Sequence, residues 1–326
     1  MAEILSEVVA LEAARARLAD GETVAIPTET VYGLAADAGN GEAVARIFAA
    51  KRRPRFNPLI CHVADMAMAR RIAVFSPLAE RLAQAFWPGP LTLVLPLAAG
   101  APVHPLVTAG LDSVGVRMPV GFARALIAAF GRPLAAPSAN SSGRVSATSA
   151  EAVAADLGTR VGLIVDGGPS PVGVESTILK IDGDRLTQLR PGGLAIADIE
   201  KVAGVTVNRQ KGGRVVAPGM LSSHYAPRAS LRLDAVDVGE GEALLGFGAV
   251  RAARAKKARA FLNLSPKGDP GEAARNLFSH LRALDETGAA IIAVEPVSHT
   301  GLGEAINDRL ARAAAPREDE TDRSAS

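Results

Sequence analysis

The stretch Thr23-Val24-Ala25-Ile26-Pro27-Thr28-Glu29-Thr30-Val31-Tyr32-Gly33-Leu34 (TVAIPTETVYGL) sets the reading of the chain around it. Its first four residues form a short apolar run rich in β-branched side chains, which predicts a strand. Pro27 ends that strand, because proline lacks the N–H that a sheet interior needs. Three polar side chains follow, and Val31 and Leu34 then turn back toward a core. By composition the loop is either a surface turn or the floor of a site, with Thr28 and Thr30 facing a cleft.

Upstream, Ile4, Val8, Leu11, Ala14 and Leu18 repeat at helical spacing and predict an amphipathic helix over 4–18. Downstream, Val44, Ile47 and Phe48 share one face of a helix predicted over 41–52, which Pro54 stops. A short strand is predicted over 59–63, a helix over 79–86 and a strand over 91–95. In Ser113–Met118 the residues Ser113, Gly115 and Arg117 alternate with Val114, Val116 and Met118, a strand with one polar and one apolar side. Helices over 122–130 and 149–157 alternate with strands near 134–136 and 162–165, and strands over 177–181 and 185–189 flank the turn Asp182-Gly183-Asp184. Alternation of this kind gives the α/β class. Polar, Gly-rich Asn208–Arg214 reads as a linker. A second α/β pattern follows, with strands near 229–233, 242–247, 258–262 and 290–294 and helices near 273–284 and 303–313. The charged residues 315–326 read as a disordered tail.

Composition narrows the class. With 326 residues, 48% hydrophobic and 21% charged, the chain can bury a core of one or two domains. Its 36 basic and 34 acidic residues exclude a strongly basic nucleic-acid coat protein but permit a local basic patch. The single cysteine, Cys61, rules out an internal disulfide, and no Cys/His spacing suits zinc. The first twenty residues lack the pattern of a signal peptide, and every apolar run is broken well short of a bilayer span, so a cytosolic protein with no membrane partner is expected.

Four motifs carry polar groups in suggestive places. Lys51-Arg52-Arg53-Pro54-Arg55 suits a helix C-terminus, where cations offset the dipole, and equally a polyphosphate, which a guanidinium fork and an ammonium would grip. Ala135-Ala136-Pro137-Ser138-Ala139-Asn140-Ser141-Ser142-Gly143 is an ordinary small-residue loop, or one that lets a ligand approach the backbone. Glu175-Ser176-Thr177 enters the predicted hairpin and Arg190-Pro191-Gly192-Gly193 leaves it, which brings Ser176 near Arg190. His62 suits a satisfied core histidine, and His224 has no role by position. The chain lacks the P-loop, His-Glu-x-x-His and full Gly-x-Gly-x-x-Gly patterns.

In order, PTETVYGL, KRRPRFNPLICH, FWPGPLTLVL, TAGLDSVGVRMP, AAPSANSSG, VESTI and LRPGG resemble the Sua5/YrdC family of threonylcarbamoyl-AMP synthases. APGMLSSHYAP, EAARNLFSHLRALDETG and GLGEAINDRLARAA resemble the linker and extra domain of its longer branch. The resemblance implies a YrdC-like catalytic domain over 1–207, a twisted open mixed sheet with flanking helices. It also implies a linker or lid over 208–228 and a smaller Rossmann-like α/β domain over 229–314. The implied reaction joins L-threonine, bicarbonate or carbon dioxide, and ATP into threonylcarbamoyl-adenylate with release of diphosphate. A downstream tRNA threonylcarbamoyl transferase complex then uses the product to make t6A at adenosine 37, and a weak contact with tRNA is open. Lys51 and Arg53 are the implied catalytic, phosphate-binding pair. Asn57, Ser113, Ser138, Asn140, Ser146, Arg190, Ser222 and Tyr225 are the further ATP contacts. Thr28, His62, Arg117, Ala136 and Ser176 surround threonine, with Arg117 as the carboxylate clamp. Mg2+ is expected to bridge ATP oxygens, with no metal site built by the protein. Two other classes compete: an RNA-binding module, for which aromatic platforms are scarce, and an enzyme using carbamoyl phosphate, whose zinc ribbon one cysteine cannot build.

Overall fold

The computed structural model describes residues 2–210, 217–219 and 224–316. These fall into two compact units, Met1–Ser142 with Ser146–Met220, and Gly143–Val145 with Leu221–Ser326. Most of residues 315–326, assigned from sequence to a tail, lie outside the described residues.

The strands of the first unit are β1 (Glu3–Ser6), β2 (Val24–Ile26), β3 (Gly33–Asp37), β4 (Ile60–His62), β5 (Leu91–Pro96), β6 (Ser113–Arg117), β7 (Leu134–Ala135), β8 (Leu163–Asp166), β9 (Thr177–Asp182), β10 (Arg185–Arg190) and β11 (Val207–Arg209). They form one mixed sheet in the order β1-β8-β2-β3-β7-β4-β6-β5-β9-β10-β11. The predicted hairpin is present, as antiparallel β9 and β10. β6 alternates as its sequence says: Val114 and Val116 are fully buried, while Ser113 and Gly115 keep some exposure.

Three expectations shift. Residues 3–6 are not the first turn of a helix but strand β1, held parallel to β8, and the helix α1 begins only at Glu7 and runs to Ala19. A distant strand supplies those backbone partners, which local periodicity cannot show. The second half of TVAIPTETVYGL opens into β3, antiparallel to β2, where the sequence suggested only a loop. The start of the proposed linker, Asn208 and Arg209, belongs to β11, parallel to β10.

Helix α2 (Gly41–Lys51) delivers the basic motif. Asn40 caps it by accepting from the N–H groups of Glu42 and Ala43. Arg52 ends it in the left-handed region at φ 51°, a conformation uncommon for a residue with a side chain. That reversal lets the Arg53 N–H bond to Phe48 O at 2.9 Å, so Lys51 and Arg53 leave the same turn and both are buried.

The second unit holds parallel strands β12 (Ser230–Arg232), β13 (Ala243–Gly246), β14 (Phe261–Asn263) and β15 (Ile291–Val294), in the order β12-β15-β13-β14, with helices Pro270–Glu286 and Leu302–Ala314. Among the described residues no helix is long and apolar enough to cross a membrane.

Candidate active site

Neighbouring strands of the first unit bring together motifs far apart in sequence. His62, at the end of β4, sits in register with Arg117 at the end of the parallel strand β6. β5 lies beside β6 and pairs with β9, so Thr92 stands next to Ser176, their hydroxyls 2.7 Å apart. The exit of β10 returns Arg190 to the same place, where its guanidinium donates to Ser176 O at 2.9 Å and to Ser176 Oγ at 3.2 Å. Gly192 is required there, because a Cβ would collide with the backbone of Glu175–Thr177.

One end of the site gathers cations on neutral oxygens. Lys51, 1% exposed, donates to Ser138 O at 2.5 Å and also to Asn140 O. Burial pushes its pKa well below that of an ordinary lysine. The Arg53 guanidinium adds to that shift, while Asp156 and Glu175 act against it. Arg53 donates to Asn57 Oδ1 at 2.6 Å and Pro58 O at 2.8 Å. The Asn57 Nδ2 is buried with no hydrogen-bond partner among the described residues. Ser146 donates to the Glu175 carboxylate at 2.5 Å. The loop after β7 is pinned from behind by Asp156, which accepts the Ser141 N–H at 2.9 Å. A narrow crevice is lined by Ile60, Thr92, Ser113, Gly115, Ile178 and Pro218.

The other end centres on Arg117, which is 4% exposed. Its Nε donates to Gly89 O at 3.3 Å and its NH1 to Thr30 Oγ1 at 2.9 Å. Its NH2 lies 2.6 Å from Glu29 Oε1, an ion pair with both side chains largely buried. β6 stands four places from β2 in the sheet, so the loop holding Glu29 and Thr30 runs across the sheet rather than away from it. Thr28 does not present a free hydroxyl: its Oγ1 donates to Val31 O at 2.6 Å and lies 2.9 Å from Thr30 Oγ1. The Ala136 N–H is taken by Ile60 O at 3.1 Å. Burial, reinforced by the Arg117 cation, lowers the His62 pKa to about 3, and the ring is neutral at ordinary pH.

The structure thus gathers Lys51, Arg53, Asn57, Ser138, Asn140 and Ser146 around one set of contacts, and Thr28, His62 and Arg117 around another, with Ser176 and Arg190 paired. Ser222 lies outside the described residues. Tyr225 belongs to the second unit, where its ring stacks on Phe278 with centroids 5.6 Å apart and lies beneath the Arg309 guanidinium. Glu29, Glu175 and Thr92 have no role in the motif reading. A carboxylate that must be buried beside polar neighbours, as in PTET and VEST, was the available signal for the two acids.

The family model described as "Telomere recombination" (Sua5/YciO/YrdC) matches residues 16–192, and that of the threonylcarbamoyl-AMP synthase C-terminal domain matches 194–315. The chain belongs to the Sua5/YrdC family. It is 42% identical to the threonylcarbamoyl-AMP synthase of Pyrococcus abyssi, over 91% of this chain and 92% of that one. It is also 42% identical to the Bacillus subtilis enzyme of the same name, over 93% and 92% of the two chains. The crystal structure of P. abyssi Sua5 in complex with L-threonine superposes with a TM-score of 0.86 at 39% identity, covering 96% of this chain and 97% of that one. The long branch of the family, with its C-terminal domain, is therefore the one that this chain represents.

Proposed function

We propose that the first unit condenses L-threonine, bicarbonate or carbon dioxide, and ATP into threonylcarbamoyl-adenylate, releasing diphosphate. The product is the donor for t6A formation in tRNA by a downstream transferase. The observation that carries this reading is Lys51. A buried ammonium crowded by another cation and facing carbonyl oxygens is electrostatically incomplete, and a polyphosphate supplies the missing charge. Lys51 and Arg53 grip the phosphates, Asn57 Nδ2 adds a donor, and Ser113, Ser138, Asn140, Ser146 and Arg190 line the nucleotide. His62, Arg117, Thr28, Ala136 and Ser176 form the threonine side, where Arg117 receives the carboxylate. The carbamate of threonine attacks the α-phosphorus, and catalysis rests on alignment and on donors that meet spreading negative charge.

In this reading Mg2+ arrives with the ATP phosphates. Among the described residues there is no group of three His, Cys, Asp or Glu side chains that could hold one. Mg2+ carried by ATP would neutralise phosphate charge, while Lys51 and Arg53 hold the same phosphates from the protein side.

The test is diphosphate release from ATP by the purified protein. It should require threonine and bicarbonate together, and release at the same rate without threonine would overturn the reading.

A further inference from the structure

The contact between Glu29 and Arg117 has an unusual feature. Oε1 and NH2 are 2.6 Å apart without a hydrogen bond between them, and among the described residues neither of these two buried atoms has another hydrogen-bond partner. The remaining atoms of both groups are committed. Glu29 Oε2 accepts the Val120 N–H at 3.2 Å, and the Glu29 backbone carbonyl accepts the Val172 N–H at 2.8 Å. Arg117 Nε and NH1 hold Gly89 O and Thr30 Oγ1. Two groups of opposite charge therefore meet as an ion pair whose facing atoms share no hydrogen bond, each group clamped from behind. Buried polar atoms without partners are rare enough in folded proteins to require an explanation.

An α-amino acid has the complementary shape: its ammonium sits one carbon from its carboxylate. We infer that Glu29 Oε1 receives the amino group of the threonine whose carboxylate lies on Arg117. This rests on the assignment of the carboxylate to Arg117 made above. The pairing explains why the Arg117 guanidinium is neutralised by a carboxylate at all. A lone cation would take any anion, whereas an adjacent acid repels one that lacks an ammonium. It also survives the reaction. When the ammonium gives up a proton to solvent, adds its nitrogen to carbon dioxide and releases a second proton, the resulting carbamate nitrogen keeps one N–H, which still donates to Oε1.

Ligands that lack one charge separate the two roles. Dissociation constants are measured for L-threonine, for 3-hydroxybutyrate, which lacks the amine, and for L-threoninol, which lacks the carboxylate. In the unaltered protein, 3-hydroxybutyrate should bind more weakly than threonine by about ten- to a hundredfold, the range for a hydrogen bond to a charged group. Equal affinity overturns the inference without any variant. Glu29→Gln should weaken threonine and threoninol by a similar factor, leave ATP unchanged, and tighten 3-hydroxybutyrate, because the acid that repels it is gone. If Glu29→Gln weakens threonine and 3-hydroxybutyrate equally, Glu29 only positions Arg117 and the inference fails. Arg117→Lys addresses the underlying assignment separately. It should weaken threonine and 3-hydroxybutyrate but spare threoninol, and an unchanged 3-hydroxybutyrate affinity removes the carboxylate from Arg117.

Discussion

Arg117 and Lys51 are both buried cations of the same unit, but their surroundings have opposite character. Arg117 meets a carboxylate at 2.6 Å, whereas Lys51 donates to two backbone carbonyls and has a second cation nearby. One end is electrically balanced before anything binds, and the other is short of negative charge. The difference matches the two substrates: threonine is a zwitterion, ATP a polyanion. It follows that the ends should respond differently when their charges are changed.

The largest effect is expected at the unbalanced end. Lys51→Ala should lower kcat/KM for ATP by about 10²- to 10³-fold, the scale of losing one preorganised donor to developing charge. Threonine affinity, measured alone by calorimetry, should hold. Near-normal ATP kinetics would break the comparison, because the uncompensated charge would then have no use.

At the balanced end, Arg117→Ala should lower kcat/KM for threonine by an amount equivalent to about 2–4 kcal/mol. It should also destabilise the protein, since a buried carboxylate loses its partner; breaking such a pair costs about 3–5 kcal/mol. Glu29→Ala added to Arg117→Ala should restore much of the thermal stability without restoring threonine use. Lys51 is in direct ion-pair contact with no carboxylate among the described residues, Asp156 and Glu175 acting on it only through space, and a second substitution at Glu175 should bring no such recovery. A melting series of the four variants checks both statements.

How much of this contrast was readable beforehand depends on how local each feature is. β6 was legible because polar Ser113 and Arg117 alternate with Val114 and Val116, and one face is buried more completely than the other. β3 was not, because Gly33-Leu34-Ala35-Ala36-Asp37 is buried on both faces and shows no alternation. The cluster at Lys51 could be suspected from KRRPR itself. The Glu29–Arg117 pair could not, because it depends on a strand order that sets β6 beside β4 and carries the PTET loop across the sheet. The family's motif order supplied the names of the site residues, but not which of them touch.

The next effect concerns acid. His62 has an ordinary pKa of 6.5 and a folded value of about 3, lowered by burial and then by Arg117. Between those values the unfolded chain binds a proton that the folded protein excludes. Stability therefore rises with pH across this window and is lost as pH falls from 6.5 toward 3, with a slope of up to about 1.4 kcal/mol per pH unit. Urea titrations at several pH values should show that slope in the wild type and a reduced one in His62→Gln. If the two slopes coincide, His62 titrates normally, and the balanced end would gain a positive charge in mild acid.

The smallest effect lies in PTETVYGL and separates two readings of that loop. The directions of the hydrogen bonds are fixed: Arg117 NH1 donates to Thr30 Oγ1, and Thr28 Oγ1 donates to Val31 O. The Thr30 hydroxyl must then donate to Thr28, 2.9 Å away, which completes a relay from the guanidinium to the backbone. In this arrangement Thr30 orients Arg117 directly and Thr28 only supports it. Thr30→Val should raise the threonine KM about fivefold, equivalent to one ordinary hydrogen bond of about 1 kcal/mol. Thr28→Val should cost about 1 kcal/mol of stability and leave the threonine KM within about twofold, because its hydroxyl already has both partners inside the turn. The reverse ranking would mean that the loop opens on binding and that Thr28 touches the amino acid itself.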